Sequence, residues 1–95
     1  MSSIDLAFSA EAEEDIDGIL AYTFETWGNT QEITYRLVLW SAFQRIQSFP
    51  EIGRRVSGER ADLREQILEY HIILYRYHGN TVTILRIVNP RRKRR

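Results

Sequence analysis

Cysteine is absent from the 95 residues. That removes disulfide frameworks, thiol nucleophiles and cysteine-ligated zinc together. Lysine is nearly absent too: Lys93 is the only one, and it stands in the last five residues. No apolar run approaches the roughly 20 residues that cross a bilayer, so no membrane partner is expected. The opening stretch, MSSIDLAFSAEAEEDID, places no basic segment ahead of an apolar one and reads as carrying no export signal. A cytoplasmic location is the simplest expectation. Histidine is scarce, and His71 and His78 lie an odd seven apart. One extended strand sends them to opposite faces, where they cannot share a metal. No cofactor or metal is expected.

What is present suits a folded domain spanning residues 1–95, with 91–95 as a basic tail. The chain is 43% hydrophobic and 12% aromatic, enough for a modest core. Its zero net charge conceals an asymmetry. Residues 1–48 hold eight acids against Arg36 and Arg45, whereas residues 49–95 hold five acids against eleven bases. The basic half can meet an acidic partner or nucleic acid, or the two halves can compensate each other within the fold.

The segment IDLAFS alternates Ile4, Leu6 and Phe8 against Asp5 and Ala7, which predicts a half-buried strand. Ser9 is a good helix N-cap, and Glu11, Glu13, Glu14 and Asp15 crowd the first turns, where the helix dipole favours acids. Ile16, Ile19, Leu20, Thr23 and Trp27 follow at helical spacing until Gly28-Asn29 ends the helix. A second helix is expected from about Thr30 to Ser48, stopped by Pro50. At roughly 100° per residue, Tyr35, Val38, Leu39, Ala42, Phe43 and Ile46 form one apolar face of it. Ile33, Leu37 and Trp40 form a stripe on nearly the opposite side. The first helix and the sheet can cover that stripe together, or a partner segment can.

After FPEIGRRVSGERADLR, three strand-like runs follow: LREQILEY, HIILYRYH and TVTILRIVN. Gly79-Asn80 predicts a tight hairpin between the last two, with His78 opposite Thr81 and Tyr77 opposite Val82. That register puts Ile72, Leu74, Leu85 and Ile87 on one face, which is expected against the helices. The other face carries His71, Ile73, Tyr75 and Tyr77 with Val82, Ile84, Arg86 and Val88. Its mixture of apolar, phenolic and cationic side chains reads as a working surface.

The runs AEAEEDIDGILAYTFETWG, SFPEIGRRV, LRE, HIILYRY and TILRIV, in this order and spacing, resemble the ParE branch of the RelE/ParE toxin superfamily. The resemblance extends from Ile4 to about Arg92. It implies an α+β domain of βααβββ order, a helical hairpin packed on an antiparallel sheet. It also implies the toxin of a type II toxin–antitoxin system. A ParD-like antitoxin with a ribbon-helix-helix DNA-binding domain would wrap the toxin with its C-terminal segment. DNA gyrase, alone or on DNA, would be the target of a ParE member, whereas RelE members cut mRNA in the ribosomal A site.

Metal-free RNA cleavage needs an acid, a base and cations for the developing charge. Arg54, Arg55, Arg64, Arg76, Arg86 and the tail supply cations. RelE-type nucleases resemble one another in placing a tyrosine or histidine just past the last strand, where this chain has Asn89-Pro90. Many ParE relatives carry histidine at Asn89, so the chain departs from that branch as well. His71 remains conceivable as a lone base near Arg86, but no catalytic residue is assigned. Three readings follow: a non-enzymatic gyrase inhibitor, a ribosome-dependent endoribonuclease, and a degenerate, non-toxic antitoxin-binding module. Antitoxin contact is expected on Ile33, Leu37 and Trp40 or on Tyr75, Tyr77, Ile84 and Arg86. Arg86, Arg91 and Arg92 are expected to meet the target.

Overall fold

Local chemistry starts and stops the helices where the sequence places them. In the computed structural model, which describes residues 3–56, 58 and 62–90, the Ser9 hydroxyl accepts the Ala12 N–H at 3.0 Å. It donates in turn to the Leu85 carbonyl at 2.9 Å. One side chain therefore caps helix α1 (Ala10–Trp27) and ties its start to the sheet. Gly28, at φ 96°, ends α1 and opens α2 (Asn29–Ser48). A side chain at that left-handed angle would be strained, so glycine permits the sharp reversal between the helices.

The strands are β1 (Asp5–Phe8), β2 (Arg54–Arg55), β3 (Leu63–Ile67), β4 (Ile72–His78) and β5 (Thr81–Val88). They form one sheet in the order β1-β5-β4-β3-β2. The α+β class stands as expected, with one difference of pairing. β1 runs parallel to β5, so the sheet is mixed, and only β2 to β5 form an antiparallel meander.

The Gly79-Asn80 turn has the expected register, His78 opposite Thr81 and Tyr77 opposite Val82. The assignment of the hairpin's two faces is reversed. Ile73, Tyr75, Val82 and Ile84 are fully buried beneath the helices, with Ile87 almost so. Ile72, Leu74 and Leu85 are only partly buried. A bulge divides β5, because Tyr75 pairs with Ile84 while Leu74 pairs with Arg86, leaving Leu85 as the additional residue. A bulge shifts the strand's alternation by one position. Ile87 thereby joins Ile84 on the helix side, and Arg86 and Val88 pass to the other.

Tyr35, Leu39, Ala42, Phe43 and Ile46 of α2 meet the buried strand residues and Ala12 of α1 in one core. Each large aliphatic or aromatic side chain so buried contributes roughly 1.5–3 kcal/mol. Val38, expected within this face, is 40% exposed. The stripe opposite stays largely uncovered: neither α1 nor the sheet closes over Ile33 or Leu37. No helix among the described residues is long and apolar enough to cross a membrane.

Candidate functional site

Along the outer side of α2, Ile33, Leu37 and Trp40 are 47%, 61% and 49% exposed. Their spacing of four and then three residues aligns them on one helical face. Trp40 is anchored rather than loose. Its ring stacks on Phe8 of β1 with centroids 6.0 Å apart and meets Phe43 edge-on at 5.5 Å. The stripe therefore offers a held aromatic ring beside two free aliphatic side chains. Buried aromatic anchors of this kind carry most of the affinity at protein interfaces.

The second expected contact set divides. Tyr75 and Ile84 are 0% exposed, and Tyr77 packs against the core. Tyr75 and Ile84 belong to the interior and offer no surface to a partner, whereas Tyr77 keeps part of its side chain exposed. Tyr75 is buried without loss because its hydroxyl is satisfied twice. It donates to the Pro50 carbonyl at 2.8 Å and accepts the Gly53 N–H at 2.9 Å. Arg64 closes the same loop, donating to the Gly53 carbonyl at 2.7 Å and to the Glu51 carbonyl at 3.2 Å. Pro50 to Arg54 is thus a structural clasp between α2 and the sheet. A methyl group on Gly53 would lie 2.7 Å from the Tyr75 hydroxyl and 2.8 Å from the Glu65 carbonyl.

Arg86 is exposed at the sheet, and its side chain reaches across to α1. Its Nε donates to Oδ2 of Asp15 at 2.7 Å and its Nη2 to Oδ1 at 3.1 Å, while the Ile87 N–H donates to the same Oδ2 at 2.9 Å. Burial alone would raise the Asp15 pKa. The hydrogen bonds from Arg86 and Ile87 outweigh it and hold the carboxyl below its ordinary value. Asp15 takes over β5's ladder beyond the end of β1, and it also aims the arginine. In the sequence Asp15 looked like one more acid serving the helix dipole, and nothing in the spacing separated it from Glu13 or Glu14. Arg91 and Arg92 lie outside the described residues.

Two further arginines are engaged. Arg54 pairs with Glu65 at 2.9 Å, and Arg64 serves the clasp. Nε of Arg76, on the side away from the helices, is buried without a hydrogen-bond partner. His71 does not share a face with Arg86. It lies beneath α2, where its Nδ1 is 2.7 Å from the Tyr35 hydroxyl. Burial lowers the His71 pKa. Burial, with the nearby Glu69 and Tyr70, pushes Tyr35 up to about 12. A neutral imidazole accepting a phenolic proton is the arrangement both shifts favour. Among the described residues, no group of three or more His, Asp or Glu side chains is placed to hold a metal ion.

Comparison with known proteins agrees with this geometry. Residues 6–94 match the family model described as the ParE toxin of the type II toxin–antitoxin system parDE. The toxin ParE1 of Caulobacter vibrioides is 30% identical over 81 residues, covering 85% of this chain and 83% of its own. The toxin ParE1 of Mycobacterium tuberculosis is 29% identical over 84 residues, with 87% and 86% covered. Among solved structures, the chromosomal ParDE system of P. aeruginosa superposes with a TM-score of 0.77 at 20% identity, covering 92% of this chain and 96% of that one. The RelBE2 toxin–antitoxin complex of M. tuberculosis gives 0.69 at 20% identity, covering 93% and 99%. The chain belongs to the ParE family, the toxins of type II toxin–antitoxin systems.

Proposed function

We propose that this toxin arrests growth by inhibiting DNA gyrase without catalysis of its own, and that a ParD-like antitoxin with a ribbon-helix-helix domain neutralises it. The observation that carries the reading is how the polar groups a nuclease would use are already committed. Asp15 holds Arg86, the Pro50–Gly53 clasp holds Arg64, and Tyr35 holds His71. Inhibition by binding needs only a surface, and the exposed Ile33–Leu37–Trp40 stripe supplies one for the antitoxin. Asp15 takes Nε and Nη2 of Arg86 but leaves Nη1 of this half-exposed side chain for an acidic or phosphate-bearing group of the target.

Induced expression in bacteria, followed by assay of the purified protein, tests this reading. Filamentation with DNA-damage signalling, and loss of gyrase supercoiling in vitro, are the expected outcomes. Prompt translation arrest with cleavage of ribosome-bound message, and unaffected supercoiling, would replace it with the endoribonuclease reading. Normal growth would leave an antitoxin-binding module.

A further inference from the structure

The face of the sheet turned away from the helices carries a polar cluster near the Gly79-Asn80 turn. Strand alternation places it there. Tyr75, Val82 and Ile84 point into the core, so Arg76, Thr81 and Thr83 point the other way. Arg76 pairs with Thr83 across β4 and β5, and His78 pairs with Thr81. Side chains so opposed have Cβ atoms about 4.5–5.5 Å apart, which gathers these residues into one compact patch. On β1, Ala7 stands beside Thr83 and Asp5 beside Thr81. Ala7 is too short to cover the cluster.

The cluster is not spent on the fold. Among the described residues, the side chains of Arg76, His78, Thr81 and Thr83 make no hydrogen bond or ion pair. Glu65, diagonal to Arg76 across β3, is taken by Arg54 instead. Nε of Arg76 is buried with no acceptor, whereas its Nη1 and Nη2 are not buried. A buried donor without an acceptor is rare in folded proteins. This cation is therefore under-solvated, and an anion on its open nitrogens restores what burial removes.

We propose that this cluster binds one phosphate group of a small ligand, a free phosphate or a mononucleotide. Phosphate oxygens would sit on Nη1 and Nη2 of Arg76, and on the Thr83 and Thr81 hydroxyls and the His78 imidazole. A planar carboxylate uses the arginine fork alone. A tetrahedral anion also uses donors outside that plane, and the hydroxyls supply them. A nucleic-acid strand fits less well, because it would carry a row of phosphates past Asp5 and Glu65 and needs several cations along its path. The site is separate from Arg86, whose guanidinium turns to Asp15 of α1. It depends on neither the gyrase reading nor the antitoxin reading.

Inorganic phosphate titrated into the isotopically labelled full chain at constant ionic strength tests the site, with chloride as the control. The amides of Arg76, His78, Thr81 and Thr83 should shift together and saturate with phosphate and stay in place with chloride. Arg76→Gln should weaken binding at least tenfold with melting unchanged. Thr83→Val, which keeps the side chain's shape and removes its donor, should weaken it at least threefold. Arg76→Lys keeps the charge and loses the fork, so it should also lose at least threefold, and it replaces the glutamine variant if that one fails to fold. No saturable shift, shifts centred on other arginines, or unaltered affinity in a folded Arg76 variant overturns the proposal.

Two further ligands fix the source of the phosphate. Adenosine monophosphate should move the same amides and bind at least as tightly as inorganic phosphate. A short single-stranded oligonucleotide should bind no more tightly per phosphate than the mononucleotide. If it binds these amides with the salt dependence of several phosphates, the small-ligand source is overturned and the site belongs to a nucleic-acid backbone.

Discussion

The hydroxyl of Tyr35 and Nδ1 of His71, 2.7 Å apart, form a part-buried contact that contains a titratable imidazole. The folded protein holds His71 with a pKa below the usual 6.5. The unfolded chain therefore takes up the proton first as pH falls. The stability this histidine supports is complete above about 6.5 and is lost progressively as pH drops through that value towards the lowered folded pKa. Melting temperature should fall in thermal scans as pH drops below about 6.5. His71→Gln should flatten that part of the profile. A slope unchanged by the substitution would assign the titration elsewhere. Tyr35→Phe should cost about 1 kcal/mol, the net worth of one hydrogen bond, in denaturant unfolding.

At the scale of elements, the clasp and the bulge explain both what the sequence discloses and what it conceals. The helices were legible because their signals are local: Ser9 caps, Gly28 reverses, and Pro50 stops. The hairpin turn was equally legible at Gly79-Asn80. The facing of the strands was not. Tyr75 and His71 have polar atoms that usually mark a wet surface, yet their partners, Pro50, Gly53 and Tyr35, lie 25, 22 and 36 positions away in the chain. The extra residue at Leu85 is equally silent, because its cause is the docking of Ser9 and Asp15 from α1 onto β5. The exposure of Ile33, Leu37 and Trp40 was readable from helical period, whereas Arg86 is exposed only because the bulge moves it off the buried Tyr75 face.

The same elements yield two measurable consequences. Gly53→Ala should destabilise the fold by about 1–3 kcal/mol, since a methyl group meets both the Tyr75 hydroxyl and the Glu65 carbonyl. Tyr75→Phe should cost a similar amount, about 1–3 kcal/mol, by stranding the Gly53 N–H and the Pro50 carbonyl. Chemical denaturation measures both. Asp15→Ala should speed hydrogen exchange at the Ile87 amide, whose acceptor it removes. If that amide stayed protected, the ladder beyond β1 would depend on something other than Asp15.

For the whole molecule, the sheet, α1 and one face of α2 make the core, and much of the rest of α2 is exposed. A helix with apolar residues on several sides is stable in water only while each uncovered side is small or a partner covers it. Folding and recognition are thereby separated along a single helix: Leu39, Phe43 and Ile46 hold the fold, while Ile33, Leu37 and Trp40 are spare. Leu37→Glu should leave melting nearly unchanged, because surface substitutions at sites as exposed as this usually stay within about 0.5 kcal/mol. It should nevertheless weaken the antitoxin complex about tenfold or more, by placing a charge in an apolar contact. Trp40→Ala should weaken the complex by a similar factor, with a small loss of stability from its stacking on Phe8. Calorimetric titration of each variant measures the affinity, and co-expression measures the consequence, since a toxin the antitoxin no longer holds should arrest growth in its presence. Should both variants bind as tightly as wild type, the antitoxin crosses some other face of the toxin, and the exposed stripe on α2 has a different partner.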